Sequence, residues 1–288
     1  MNKIDGKKIA GEIVEKLKEK EKPEKILAAV YVGSNPASEA FLKVKEKAAK
    51  ELGVDFRVYS FSESISGEKL REEVGRISKM GVAGGVIVQL PLPDKFNKQK
   101  ILNAVDLEKD VDVLAEKSLG AFYAERSAVL PPAVGVIKEI LEKENVFKDL
   151  GEKKVAIVGA GFLVGKPAAV WFLGKVAEVA VFDKGSNLED LKKYDLVVSG
   201  VGKAGLIKTE FLKEGAGVID FGYDDKGSPS TGSGYNSKRV IGDLDASDEK
   251  KLEKLTFWTP TPGGTGPILV AKLMENFYEL FERKKKKE

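Results

Sequence analysis

The residues most able to do chemistry are polar groups at positions that periodicity assigns to apolar ones. On the helical pattern of residues 38–52, Phe41, Lys45, Ala48 and Leu52 fall at i, i+4, i+7 and i+11, so Lys45 stands where a hydrophobe belongs. Such a lysine either snorkels to the helix edge or occupies a pocket where desolvation brings its pKa toward the general-base range, and periodicity weighs the two evenly. Its neighbours Lys43, Lys47 and Lys50 fall elsewhere around the helix and suit solvent. Gln89 closes the apolar run Val86, Ile87, Val88 and precedes Leu90, Pro91, Leu92 and Pro93. Ligands of parallel α/β sheets sit beyond the carboxyl ends of strands, so this amide either orients another polar group there or caps loop backbone. Asp110 and Asp112 could together chelate a cation, but no other cluster accompanies them and no metal site is expected.

A second constellation follows the strand Val155, Ala156, Ile157, Val158, which runs into Gly159, Ala160, Gly161, Phe162, Leu163, Val164 and Gly165 at the start of a helix. Strand, glycine turn and helix are the context of a dinucleotide fingerprint: Gly159 permits a tight turn, Gly161 lets the backbone approach a pyrophosphate, and helix N-terminal amides bind the anion. The spacing is one residue longer than the usual form. Asp183, at the end of the next strand, suits the adenosine ribose hydroxyls and would repel a phosphate there, or else is a solvated turn residue. Lys184 beside it offers such a phosphate a positive charge.

These groups need a scaffold, and the pattern supplies two α/β series. Helix, strand, helix, strand, helix and strand are expected at residues 6–21, 26–32, 38–52, 54–61, 68–80 and 85–90. A helix at 132–142 leads to a second series at 155–158, 163–173, 178–182, 196–199 and 218–221, and a last amphipathic helix runs to about 283. The fold class is therefore α/β with parallel sheets in two domains. The boundary lies near 120–131, where periodicity lapses, giving an N-terminal domain over 1–125 and a dinucleotide-binding domain over 126–266. The Gly- and Ser-rich stretch 224–236 is expected to be a mobile surface loop.

Composition narrows the function. The 288 residues contain no Cys and no His, which removes disulfides, thiolate nucleophiles, Ser-His-Asp triads and the commonest zinc ligands. A net charge of only +3 from 48 basic and 45 acidic residues describes a solvated surface, not a nucleic-acid footprint. The basic run Lys284 to Lys287 suits a frayed, solvated helix end. With neither a signal core nor an apolar stretch near the roughly 20 residues that span a bilayer, a cytoplasmic protein without a membrane role is expected.

Taken in order, Val32–Gly33 with residues 38–45, Gln89 to Pro93, Lys109 to Asp112, Val164 to Pro167, and Pro260 to Pro267 resemble the methylenetetrahydrofolate dehydrogenase/methenyltetrahydrofolate cyclohydrolase family. The resemblance implies an N-terminal domain and a Rossmann-like domain flanking a cleft, the last helix, at about 267–283, packing back on the former, and a homodimer formed through the nucleotide domains. It implies that Lys45 serves the cyclohydrolase step, that Gln89 tunes it and that Asp112 binds the pterin. By the same resemblance, Phe41, Leu90, Pro91, Pro262, Gly263 and Gly264 contact the folate. The cofactor side comprises Gly159, Ala160, Gly161, Val164, Gly165, Asp183, Lys184, Val201, Gly202 and Tyr223.

The chain departs from the family pattern in four places. Phe41 replaces a tyrosine, which predicts a weaker cyclohydrolase, and Val113 replaces a glycine after Asp112, which predicts a different local loop geometry. Ala160–Gly161 and Asp183–Lys184 replace the Arg-Ser and His-Ser that serve the NADP phosphate, so NAD is expected over NADP. A dehydrogenase with weak cyclohydrolase is one alternative. A shikimate-dehydrogenase-like enzyme does not explain residues 262–267, and a nucleotide-sensing pseudoenzyme would not have needed Lys45, Gln89 and Asp112.

Overall fold

A computed structural model describes residues 2–145, 150–224 and 240–286. Of the expected loop at 224–236, all but Asp224 lies outside the described residues; Asp224 makes an isolated antiparallel bridge to Ile241. In chain order the elements are β1 (Asn2–Lys3), α1 (Gly6–Lys18), β2 (Ile26–Val32), α2 (Pro36–Glu51), β3 (Phe56–Phe61), α3 (Gly67–Lys79), β4 (Ala83–Val88), α4 (Lys98–Leu102), α5 (Glu116–Tyr123) and α6 (Pro132–Glu144). They continue as β5 (Lys154–Val158), α7 (Gly165–Phe172), β6 (Glu178–Phe182), β7 (Leu196–Ser199), β8 (Gly217–Asp220), β9 (Phe257–Trp258) and α8 (Thr265–Lys285). The chain divides into two compact units, residues 1–10 with 133–269 and residues 11–132 with 270–288.

The unit of residues 11–132 and 270–288 holds the parallel sheet β3-β2-β4. Every residue of β2 is buried, as a central parallel strand covered on both faces requires. Helix α2 starts at Pro36, two residues before the periodic pattern, because Asn35 Oδ1 accepts the Ser38 N–H at 2.9 Å and proline suits the first helical position. Helix α8 is tied to this sheet through its aromatic face. A Cβ on Gly85 would lie 2.7 Å from the Phe277 ring and 2.8 Å from Val111, so glycine there admits both side chains. Asn276 Nδ2 donates to the Val111 and Leu130 carbonyls, each at 2.8 Å.

The other unit holds a six-stranded parallel sheet in the order β1-β9-β8-β7-β5-β6. Its first strand, Asn2–Lys3, pairs with Phe257–Trp258, a partnership that no pattern in the first residues signals. Strand β6 lies on one side of β5, and β7, β8 and β9 lie on the other, so the strand order reverses between β5 and β7. Crevices that bind ligands open beyond the carboxyl ends of strands at such a point. Val158, Val197, Ile207, Val218 and Trp258 belong to one buried cluster under these ends. Each fully buried aliphatic of this kind contributes about 1.5 to 3 kcal/mol.

Candidate functional site

Two constellations lie at carboxyl ends of strands, one in each unit. In the unit of residues 11–132, the buried stripe of α2 is Ser38, Leu42, Lys45 and Ala49, with Leu52 following. Phe41 and Ala48, expected on that stripe, are only half-buried, since the buried line runs beside them through Ser38, Leu42, Lys45 and Ala49. Lys45 nevertheless points inward and is 6% exposed, so it does not snorkel.

The Lys45 ammonium meets a partner one residue beyond β4. Gln89 continues the sheet ladder through its N–H to the Val30 carbonyl at 2.9 Å, and its Oε1 accepts from Lys45 Nζ at 3.0 Å. Its Nε2 donates to the Leu90 carbonyl at 2.7 Å, which fixes the amide with its oxygen toward the lysine. The two readings of Gln89, orienting group and loop cap, are thus both realised. The Leu90–Pro91 peptide is cis; Leu90 is half-buried and Pro91 exposed. Burial lowers the pKa of Lys45, and the nearby Asp112 carboxylate opposes that shift. Burial likewise raises Asp112, with the Lys45 charge working against it and Asp110 adding to it. Each group favours the charged form of the other.

Asp110 has a different task. Its Oδ2 accepts the N–H groups of Leu114 and Ala115 at 2.9 and 2.8 Å, bracing the entry to α5. Among the described residues no group of three or more His, Cys, Asp or Glu could hold a metal ion. Val113, which the family pattern would fill with glycine, takes φ +57°, the left-handed region that favours glycine. The loop therefore adopts a glycine-type backbone despite the β-branched side chain, at a cost of about 1 to 2 kcal/mol. Burial to 1% exposure holds the side chain in place.

In the other unit, Gly159 has φ +91° and donates to the Phe182 carbonyl at 2.7 Å, turning the chain sharply out of β5. Helix α7 begins at Gly165, two residues later than its pattern, and a Cβ there would lie 1.8 Å from the Gly159 carbonyl oxygen. Gly165 is thus the glycine that lets the helix start close against the turn. A Cβ on Gly161 would meet only the Gly200 carbonyl at 3.7 Å, an ordinary contact, so this position is not closed off by its surroundings. Val164 precedes the helix as its cap residue. Asp183 is exposed at the end of β6; its Oδ1 accepts the Lys184 N–H at 2.9 Å, and its own N–H donates to Ser186 Oγ at 3.0 Å. It is a turn residue with a carboxylate still open to solvent. Val201 and Tyr223 are each 44% exposed, and Gly202, at φ +76°, lies against the Tyr223 carbonyl.

The residue that organises this rim is not among those the sequence singles out. Asp243 is fully buried, and its carboxylate accepts Ser199 Oγ at 2.6 Å and the N–H groups of Val201 and Lys203 at 2.7 Å each. Asp220, at the end of β8, accepts the N–H groups of Gly222 and Leu244 at 2.6 and 2.9 Å. Glycines make room for both carboxylates, since a Cβ on Gly242 would reach Asp220 and one on Gly222 would reach Asp243. The signal available was an aspartate directly after the short apolar pair Val240–Ile241 and a glycine. Pro262, Gly263 and Gly264 belong to this unit, in a loop where Thr261–Pro262 is cis and the Gly263 carbonyl accepts the Gly6 N–H at 3.1 Å.

The chain is similar to known proteins over nearly its whole length. Residues 4–112 match the model of the tetrahydrofolate dehydrogenase/cyclohydrolase catalytic domain, and residues 131–285 match that of its NAD(P)-binding domain. The chain is 36% identical over 287 residues to the bifunctional protein FolD of Streptococcus thermophilus, covering 96% of each. The crystal structure of the bifunctional FolD enzyme of Campylobacter jejuni superposes with a TM-score of 0.87 at 32% identity, covering 97% of this chain and 98% of that one. The Trypanosoma brucei FolD structure, described as complexed with NADP cofactor and inhibitor, gives a TM-score of 0.88 at 29% identity over 98% and 97% of the chains.

Proposed function

Because the chain belongs to the tetrahydrofolate dehydrogenase/cyclohydrolase family, it is a methylenetetrahydrofolate dehydrogenase and methenyltetrahydrofolate cyclohydrolase, and we propose that Lys45, Gln89 and Asp112 form its folate centre. The observation that carries this assignment is the buried Lys45, hydrogen-bonded to Gln89 and electrostatically coupled to Asp112. When bound, the nicotinamide supplies the acceptor for a hydride from the methylene carbon. The oxidised substrate is a cation, and a neutral amine does not repel it, so the depressed pKa of Lys45 suits the second step. As water adds to the methenyl carbon, Lys45 takes its proton and returns it to the nitrogen released when the ring opens. Gln89 holds the amine in place. Asp112 accepts paired hydrogen bonds from the pterin amino group and ring nitrogen. Phe41 stacks on the pterin but lacks the family tyrosine's hydroxyl, and Leu90, Pro91, Pro262, Gly263 and Gly264 shape the substrate's surroundings.

The dinucleotide is assigned to the crevice between the β5 and β7 ends, with its diphosphate on the Gly159–Gly165 turn and its further contacts at Val201, Gly202 and Tyr223. NAD is preferred to NADP, because Ala160 and Gly161 offer no side-chain donor and the open carboxylate of Asp183 stands where an adenosine phosphate would bring a second negative charge. A cytoplasmic homodimer acting on tetrahydrofolate derivatives completes the proposal; no helix among the described residues is long and apolar enough to cross a membrane.

The test is Lys45→Met, which keeps the stem's packing and removes the amine. Conversion of methenyl- to formyl-tetrahydrofolate should fall at least 100-fold, the low end of what a positioned base contributes. Methylene oxidation should fall less. A near-normal cyclohydrolase rate would overturn the assignment.

A further inference from the structure

The loop that carries Asp112 also walls a second cavity, of about 340 Å³, within the unit of residues 11–132 and 270–288. None of Lys45, Gln89 and Asp112 lines it. Its volume lies within the range of about 300 to 1,000 Å³ that small-molecule pockets occupy. Two kinds of surface meet in it. Val113, Val129 and Leu280 give it an apolar wall and are themselves buried. Arg126, Arg283 and Lys286 stand exposed at its rim, and the half-buried Lys284 lines it too, so Lys284 and Lys286 of the basic C-terminal run face this cavity.

Neither arginine is matched by an acidic residue of the lining. Asp110 also lines the cavity, but its Oδ2 is committed to the Leu114 and Ala115 N–H groups, and burial holds its pKa up. Glu108 is the other acidic lining residue. Among the described residues no ion pair joins Arg126 or Arg283 to a carboxylate, although the Arg283 charge is felt by Glu279 on the same helix. Ser118, 2% exposed, lines the cavity as well. Its hydroxyl makes no hydrogen bond of normal geometry, although it lies near enough to the Asp110 carboxyl to favour its ionised form.

We propose that this cavity is a binding site for a small organic anion with an apolar body about the size of one aromatic ring, its charged end taken by Arg126 and Arg283. Guanidinium groups pair with carboxylates and phosphates in a planar, two-pronged geometry, and the aliphatic wall selects a ligand with a hydrophobic part over a bare inorganic ion. The charge on the rim is not explained by the folate or dinucleotide chemistry assigned above.

Isothermal titration of the 288-residue chain with benzoate, phenyl phosphate, inorganic phosphate and neutral benzamide tests the proposal, with methyl NMR of Val129 and Leu280 to locate binding. Benzoate or phenyl phosphate should bind saturably, shift those methyl signals and bind at least tenfold more weakly to the R126A/R283A double variant. Both side chains are exposed, so the variant should keep its fold, and unchanged methylenetetrahydrofolate oxidation would verify this. Inorganic phosphate and benzamide should each bind at least tenfold more weakly than phenyl phosphate and benzoate. Absence of saturable binding by both aromatic anions, equal affinity in the double variant, or benzamide binding as well as benzoate would overturn it.

Discussion

Asp220 makes stability depend on pH in a direction opposite to that of most carboxylates. It is 1% exposed at the end of β8, and burial, with Asp243 adding to the effect, pushes its pKa from 3.8 up to about 7 despite the N–H groups of Gly222 and Leu244. Between these two values the folded chain keeps a proton that the unfolded chain has released, so stability from this group falls as pH rises from about 4 to about 7. For a carboxyl moving from 3.8 to about 7, the linkage integral gives a folding penalty of about 1.7 kcal/mol at pH 5 and about 4.3 kcal/mol at pH 8. The difference is about 2.6 kcal/mol. Asp220→Asn removes it, at the cost of one acceptor facing a backbone N–H, a loss of about 1 to 3 kcal/mol that does not change with pH. Both tryptophans, Trp171 and Trp258, lie in the same unit as Asp220, and Trp258 pairs in register with Val218 on β8. Urea unfolding followed by tryptophan fluorescence therefore reports the relevant unit. At pH 5 the removed penalty and the lost acceptor nearly offset each other, and by pH 8 the variant should gain about 2.6 kcal/mol relative to the parent. A stability difference that stays constant between these pH values would refute the reasoning.

Three further outcomes follow from the sites. Asp112→Asn removes the charge that supports the Lys45 ammonium, so the acid limb of the cyclohydrolase pH profile should move to lower pH while folate affinity drops by about 1.5 to 3 kcal/mol; an unmoved limb in pH-rate measurements would count against the coupling. Asp243→Ala leaves Val201 N–H, Lys203 N–H and the Ser199 hydroxyl without their acceptor, and denaturant titration should show a loss of about 3 to 5 kcal/mol with weakened NAD binding; a loss below about 1 kcal/mol would mean the rim is held by other groups. Asp183→Ser combined with Ala160→Arg should move the ratio of kcat/KM values toward NADP, the arginine alone contributing about 1.5 to 3 kcal/mol, whereas parent enzyme that already prefers NADP at ordinary salt would end the case for NAD.

The sequence by itself determined what local periodicity and composition carry. Alternating strands and helices, the glycine turn after Val158, an inward lysine on the second helix and a glutamine at a strand end were all legible, because each depends on residues within a few positions of one another. The absence of His and Cys confined acid and base chemistry to Lys, Tyr, Asp and Glu. Tertiary structure decided what depends on distant partners. The buried stripe of α2 runs through Ser38 and Leu42, because which face is covered depends on what the helix packs against and not on its own periodicity alone. Lys45 became a desolvated amine and not a snorkelling one only because Gln89, 44 residues away, and Asp112 come to meet it. Asp243 looks like any loop aspartate until the chain returns it to the Ser199–Lys203 segment, 44 residues back, where buried N–H groups need an acceptor. Val113 keeps its left-handed backbone through the packing around it, which no neighbour in sequence foretells.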